Sequence, residues 1–284
     1  MRPALSLLTA LAVLGWAGLA SAQTIEFRDV SARVVIIPEN RSDVQVVVLK
    51  TNPNLPLYVQ KGLGGRTIVH GREWIGLFWG VHTYGDCNGD GDQVVDVPRV
   101  GRVGYDDLPQ VVVRVPENAT VDAGGALYGS VGRAHSLRLR IAGCGEWTVA
   151  NVEDDLNVAA AGSDRLHTGS AGRMHLSVAG AASATTTSVA DGLNIAIAGA
   201  GDVRVGKASG PVNVTLAGGG NVRIGGGRAG SLNVSIMGSG DVDYDGVADS
   251  LSANIAGSGD IRAAKVLGAV NKSIAGSGSV EVGP

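Results

Sequence analysis

The sequence predicts an all-β fold. The expected architecture is a right-handed, single-stranded parallel β-helix with coils of about 19 residues, preceded by a less regular N-terminal β cap and insertion. Three observations predict it. One glycine-rich phrase recurs at a nearly fixed step. The segment before each copy alternates apolar and polar residues. The chain is also rich in glycine and poor in aromatic rings, with 44 Gly and 2 Phe among 284 residues.

The phrase reads Ile197-Ala-Gly-Ala-Gly-Asp-Val203, Leu216-Ala-Gly-Gly-Gly-Asn-Val222, Ile236-Met-Gly-Ser-Gly-Asp-Val242, Ile255-Ala-Gly-Ser-Gly-Asp-Ile261 and Ile274-Ala-Gly-Ser-Gly-Ser-Val280. Fainter copies start at Ile141, Val158 and Val178, and from Val178 onward the steps are 19, 19, 20, 19 and 19 residues. Each repeat opens with an alternating arm such as Leu193-Asn-Ile195-Ala-Ile197, the pattern of a half-buried strand. The Gly-x-Gly corner follows, where glycine turns the chain without a Cβ penalty. A second, shorter arm such as Val203-Arg-Val205 completes the unit.

One such unit cannot bury its apolar face alone, but stacked units can, at the ~4.8 Å spacing of paired strands. Stacking predicts five inward columns: 193/212/232/251, 195/214/234/253, 197/216/236/255/274, 203/222/242/261/280 and 205/224/244/263/282. Lys272 breaks the second column in the last coil. It marks an open end, where the stem can follow apolar surface to water. From Thr148 onward Tyr244 is the sole aromatic residue, so the core is narrow and aliphatic.

The N-terminus reads differently. Arg2, an apolar run from Ala4 to Leu19 and the small-residue site Ala20-Ser21-Ala22 form a secretory signal peptide, residues 1–22. Cleavage there leaves Gln23 rather than a cysteine at the new terminus, so no lipid anchor is expected. The expectation is an exported protein, periplasmic or at the cell surface or extracellular, with no transmembrane span after cleavage. Residues 23–140 form an N-terminal β region holding an insertion at about 51–108, and 141–284 form the repetitive β-helix. The insertion carries Tyr58, Trp74, Phe78, Trp79, Tyr84 and Tyr105 and is expected to cap the first coils.

The recurrent Ile-Ala-Gly-Ser-Gly-Asp phrase, the 19-residue step and the export signal resemble the autotransporter-adhesin head domain family, also called the head GIN domain. The stretch from Leu108-Pro-Gln-Val-Val-Val-Arg-Val-Pro116 through Gly143-Cys-Gly-Glu-Trp147 is similar to that group's leading segment. The resemblance covers roughly 24–284. It implies an exported, single-chain β-helical protein without an established enzymatic activity.

Asp86, Asn88, Asp90 and Asp92 match the opening of a calcium loop, with oxygen ligands at alternate positions and Gly91 at the turn. Val97 stands where such a loop has its bidentate Glu, and the competing reading is an acidic turn. No other cofactor is implied. Cys87 and Cys144 are a candidate disulfide in an oxidising compartment, the alternative being two buried thiols. The corner residues Asp202, Asn221, Asp241 and Asp260 are read as turn residues bonding backbone N–H groups. One position along, Arg204, Arg223, Asp243, Arg262 and Glu281 form a ladder of stacked charges.

Net charge is −3, so nothing draws nucleic acid. No nucleophile elbow, metal-spaced histidine pair or phosphate loop occurs, so no catalytic residue is assigned and the protein is not expected to be an enzyme. The leading expectation is a structural or adhesin-like binding module whose partner is an envelope polymer or another protein, with end-to-end self-association as a further partner class. The alternative is a polysaccharide-active β-helix enzyme, a lyase or hydrolase, which would need converging carboxylates.

Overall fold

The computed structural model describes residues 23–71, 86–87 and 94–284. The chain is a parallel β-solenoid of about nine coils at the 19-residue spacing. Its early strands are β1 (Gln23–Glu39), β2 (Gln45–Lys50), β3 (Tyr58–Lys61), β4 (Arg66–His70), β5 (Asp86–Cys87), β6 (Val94–Val97), β7 (Gly101–Gly104), β8 (Gln110–Pro116), β9 (Asn118–Val131) and β10 (Ser136–Val149). The later strands repeat the two-armed pattern to Val280–Val282.

All five predicted columns are buried up to the last coil, where Ile274 is exposed and Val280 and Val282 are half-buried. One of them runs Ile25, Val121, Leu139, Val158, Leu176, Ile195, Val214, Val234, Ala253 in unbroken parallel register. Every member is at most 3% exposed, so the column forms a continuous dry seam. Below Ile25 it meets the buried Thr67, and above Ala253 it meets Lys272. Both ends of an apolar column are therefore polar. Lys61 Nζ donates to Thr67 Oγ1 (3.1 Å) and to the Val44 carbonyl (2.5 Å) at one end, and Lys272 Nζ donates to the Val280 carbonyl (2.7 Å) at the other. Lys272 is exposed, beside Val270 and Ile274, as an open final coil requires.

A further inward column closes the third side of the coil. Ala134, Val152, Ala171, Val189, Ala208, Ala229 and Ala248 are all buried. Parallel pairing stacks them from Ala134 through Val152, Ala171 and Val189 to Ala208, and again from Ala229 to Ala248 after a shift of register. Large side chains sit where a neighbour is small. Trp147 is fully buried, and a Cβ on Gly129, its partner one coil below, would lie 2.3 Å from the Trp147 ring. The buried Thr168 donates to Thr186 (2.9 Å), which faces Met174 Sδ, so this polar pair is satisfied inside the core.

The corner glycines are fixed by geometry. Gly199, Gly218, Gly238 and Gly257 have φ of 134°, 134°, 141° and 145°. An added Cβ at each would fall 2.0–2.3 Å from the carbonyl oxygen of the corner glycine one coil below. Both the positive φ and the coil-to-coil approach exclude a side chain there.

The stack crosses residue 140 without a break, since β9 pairs with β10 from Ser136↔Asn118 to Val149↔Val131. It also begins earlier than the repeat does, with β1. The chain order and the spatial order differ here. β1 pairs with β4 and β8 on one side and with β9 on the other. The first strand therefore lies between segments that follow it in sequence by many residues. β3 pairs antiparallel with β4, and β2 antiparallel with β8, so reversed strands cover that edge. This blocks edge-to-edge pairing where a parallel stack would otherwise be exposed. Trp74, Phe78, Trp79 and Tyr84 lie outside the described residues, and Tyr58 stacks on His70 (5.4 Å) in the cap.

Candidate binding groove

Two kinds of outward side chain can be distinguished on this solenoid. One kind bonds from coil to coil. Asn213 donates to Asn194 (2.8 Å) and Asn233 to Asn213 (2.9 Å) on one flank. At the corner, Asn221 Nδ2 donates to Asp202 (3.0 Å), while Asn221 Oδ1 accepts from the Asp241 N–H (3.2 Å). Asp241 and Asp260 accept from the N–H groups of Asp260 and Ser279, each at 2.8 Å. These side chains bond backbone, as expected from sequence, but the N–H belongs to the next coil and not to their own turn. They staple coil to coil. The charge ladder is also shifted: Arg223 pairs with Asp245 (3.2 Å) rather than Asp243, and Arg262 pairs with Glu281 (3.2 Å).

The second kind is concentrated where β1, β8, β9 and β10 meet the turn that follows β7. Arg33 lies beside Gln110 on one side and Tyr128 on the other, and Tyr128 lies beside Glu146. Val35, Ser130 and Thr148 form the next outward row. Tyr105 closes the space from the insertion. Its ring meets Tyr128 edge-on, with centroids 5.2 Å apart at 85°, and the Arg33 guanidinium carbon lies 4.8 Å from its centre. The result is a half-open cavity of about 210 Å³. Among the described residues, the side chains of Gln110, Ser130, Glu146 and Thr148 make no hydrogen bond.

The wall is firmly attached. Cys87 and Cys144 form a disulfide with Cα atoms 5.8 Å apart. The Cys87 N–H also points at Cys144 Sγ (3.0 Å). Cys144 is the middle residue of a Gly-x-Gly corner, and it packs with Ala126 against Leu55, Val95, Val97, Val103 and Leu108 in a second small core. Lys50 Nζ donates to the Asp106 carbonyl and Asn52 to the Asp107 carbonyl (2.9 Å), which holds the turn bearing Tyr105. The insertion thus clamps a corner and flank of the early coils, in addition to capping their end.

Burial raises the Tyr128 phenol above its usual range, Glu146 raises it further, and Arg165 opposes both. The phenol stays protonated at neutral pH and can donate. Glu146 is the one carboxylate among the residues lining the cavity.

Of the calcium-loop residues, Asn88, Asp90 and Asp92 lie outside the described residues. Asp86 is the first residue of β5, its backbone opposite Asp96. Among the described residues no group of three or more His, Cys, Asp or Glu side chains could hold a metal ion. No helix among them is long and apolar enough to cross a membrane. Sequence reading missed the groove. The available signal was that Tyr128 and Glu146 stand at equivalent positions one coil apart, before Gly129 and Trp147.

A family model described as “Putative auto-transporter adhesin, head GIN domain” matches residues 102–227 and 186–284. The fold is similar to the crystal structure of a “putative lipid binding protein” from Parabacteroides distasonis, at a TM-score of 0.50 and 17% identity over 92% of each chain. A “putative adhesin” from Bacteroides fragilis is more distant, at a TM-score of 0.30 and 10% identity over 92% of each chain. No sequence among the curated proteins matches.

Proposed function

The chain belongs to the auto-transporter adhesin head GIN domain family, and from that premise we propose that it is an exported, non-catalytic binding protein of the cell envelope. Its partner would be an external polymer or protein met along the solenoid flank. The observation that carries this reading is the contrast between the two kinds of outward side chain. Corner and flank side chains such as Asn221 and Asp241 hold coil to coil, whereas one groove gathers polar groups that make no hydrogen bond among the described residues beside two aromatic rings. A regular, rigid face of this type suits an extended partner.

The same groove speaks against the enzymatic alternative. Glycoside hydrolysis uses two carboxyl groups flanking the bond, about 5–9.5 Å apart. Here Glu146 alone lines the cavity among the described residues. The “lipid binding” label of the Parabacteroides distasonis neighbour belongs to that protein, and the polar lining of this groove suits an acyl chain poorly.

The test is direct. The chain without its first 22 residues is incubated with purified envelope polysaccharides and with intact cells. Retention on a polymer or on cells, with no new reducing ends and no unsaturated product, is the expected result. Turnover overturns the non-catalytic reading, and failure to bind any polymer, protein or cell overturns the binding reading. Fractionation with protease treatment of intact cells reads the location, and recovery in the cytoplasm would overturn export.

A further inference from the structure

We propose that the groove between Tyr105 and Tyr128 is a subsite for one uncharged sugar ring of a glycan. The inference rests on the binding-protein reading above and narrows its ligand. Four observations support it together. The cavity, at about 210 Å³, is below the range of drug-sized ligand pockets, ~300–1,000 Å³, and is open on one side. A single ring can enter there while the rest of a polymer lies outside. The wall carries two phenolic rings, Tyr105 and Tyr128, and the C–H faces of a pyranose pack on such surfaces. The floor presents a carboxylate, an amide and two hydroxyls on neighbouring strands: Glu146, Gln110, Ser130 and Thr148. These are donors and acceptors of the type that match a ring of vicinal hydroxyl groups.

The fourth observation is charge. Arg33 is stacked on the Tyr105 ring and reaches Asp106 at 3.5 Å, while its buried Nε has no partner among the described residues and can donate to a sugar hydroxyl. Glu146 is the single acidic group at the floor and would repel a uronate. The groove therefore prefers a neutral or N-acetylated ring to an acidic one. The other depression on the same face, along Asp202, Asn221, Asp241 and Asp243, does not share these properties. It has no aromatic wall, and Asp202, Asn221 and Asp241 there are engaged in the corner staples.

The experiment uses the disulfide-bonded chain from residue 23 onward. Chitohexaose, cellohexaose and an oligogalacturonate are titrated separately by calorimetry, and phosphatidylglycerol vesicles are the lipid arm. The expected result is binding of at least one neutral oligosaccharide, with the uronate at least about tenfold weaker. Thr148→Ala and Glu146→Gln are small changes on an outward strand face and should each weaken binding roughly three- to tenfold. Tyr128→Ala should weaken it by at least as much, and Tyr128→Phe should restore most of the loss if the ring is what matters. Arg262→Ala, far along the same face, should change nothing. Thermal melts confirm that each variant is folded.

If the protein binds glycans or cells but Thr148→Ala and Glu146→Gln bind like the parent, the groove assignment is wrong and the binding-protein reading survives. If the vesicles bind and compete at these residues, the sugar assignment is replaced by a lipid one. If neutral oligosaccharides fail while the chain still adheres to cells through a protein, the inference is likewise overturned.

Discussion

Gly238 sits at a coil corner with φ of 141°, and a Cβ there would lie 2.2 Å from the Gly218 carbonyl oxygen. Gly238→Ala should therefore destabilise the chain by more than about 1 kcal/mol, through strain and lost coil contact together, as read by urea denaturation. Asp164 is unfavourable for a different reason, burial of its carboxyl group. It occupies the corner position that Ala182, Gly201 and Gly220 hold in later coils, is 1% exposed, and neither carboxylate oxygen has a partner in the described structure. Burial pushes its carboxyl up to about 7. The folded state thus keeps a proton that the unfolded chain releases near pH 4. Stability is fully present below that point and falls as pH rises toward 7, by up to about 4 kcal/mol. Asp164→Ala should raise the melting temperature at pH 8 and raise it much less at pH 4. A variant with the same gain at both pH values would show that the carboxyl is not the cause. His135, between Glu153 (3.1 Å) and Asp154 (3.4 Å), is raised chiefly by the Glu153 hydrogen bond. Its contribution is present below its ordinary range and is lost as pH rises through the folded value, so it acts in the same direction as Asp164. In the Asp164 variant, His135→Gln should then reduce the loss of stability that remains as pH rises from 6 to 8, and the acid-side loss set by Asp155 and its Arg173 hydrogen bond should stay.

At the scale of elements, the disulfide has a distinct role because it joins the insertion to a coil corner rather than coil to coil. Closing 57 residues is worth about 4 kcal/mol in the chain-entropy account. Cys87→Ser with Cys144→Ser should lower the melting point and release the insertion first, seen as amide exchange rising at Val95 and Val103 before it rises at Val214. Simultaneous exchange would mean that the insertion and coils form one unit. These elements were unequally legible in the sequence. Five inward columns and the glycine corners could be read because each coil contributes two or three alternating residues to them. The third wall could not, because Ala171, Ala208 and Ala248 stand singly and show no alternation. The coil at Asn118–Val131 was obscured by Gly124, Gly125 and Gly129, of which Gly129 is small because Trp147 lies over it. The groove was hidden for another reason. Arg33, Tyr128 and Glu146 are brought together by register across β1, β9 and β10, β1 joins that register out of sequence order, and Tyr105 reaches them from the turn after β7. The charge ladder was legible as a set of residues, but its pairing was set by side-chain reach, which took Arg223 to Asp245.

For the whole molecule, stability is close to a sum over stacked neighbours, so position in the stack decides what a deletion does. Removing 270–284 takes away an outer layer and leaves Ala253 and Ile255 as the new edge. The remainder should melt cooperatively at a modestly lower temperature. Removing 23–39 takes away a layer with neighbours on both sides and strands β4 and β8 from β9. That variant should lose far more stability, and equal losses from the two deletions would contradict the sandwiched placement of β1. The same placement has a consequence in time. β1 is the first described strand to be synthesised, yet its partners at 110–131 emerge only after most of a hundred further residues. A nascent or threading chain cannot complete its leading layer as it appears. The leading segment must wait, extended and apolar, until its slot is built around it, so the finished molecule cannot assemble in the order in which it is made.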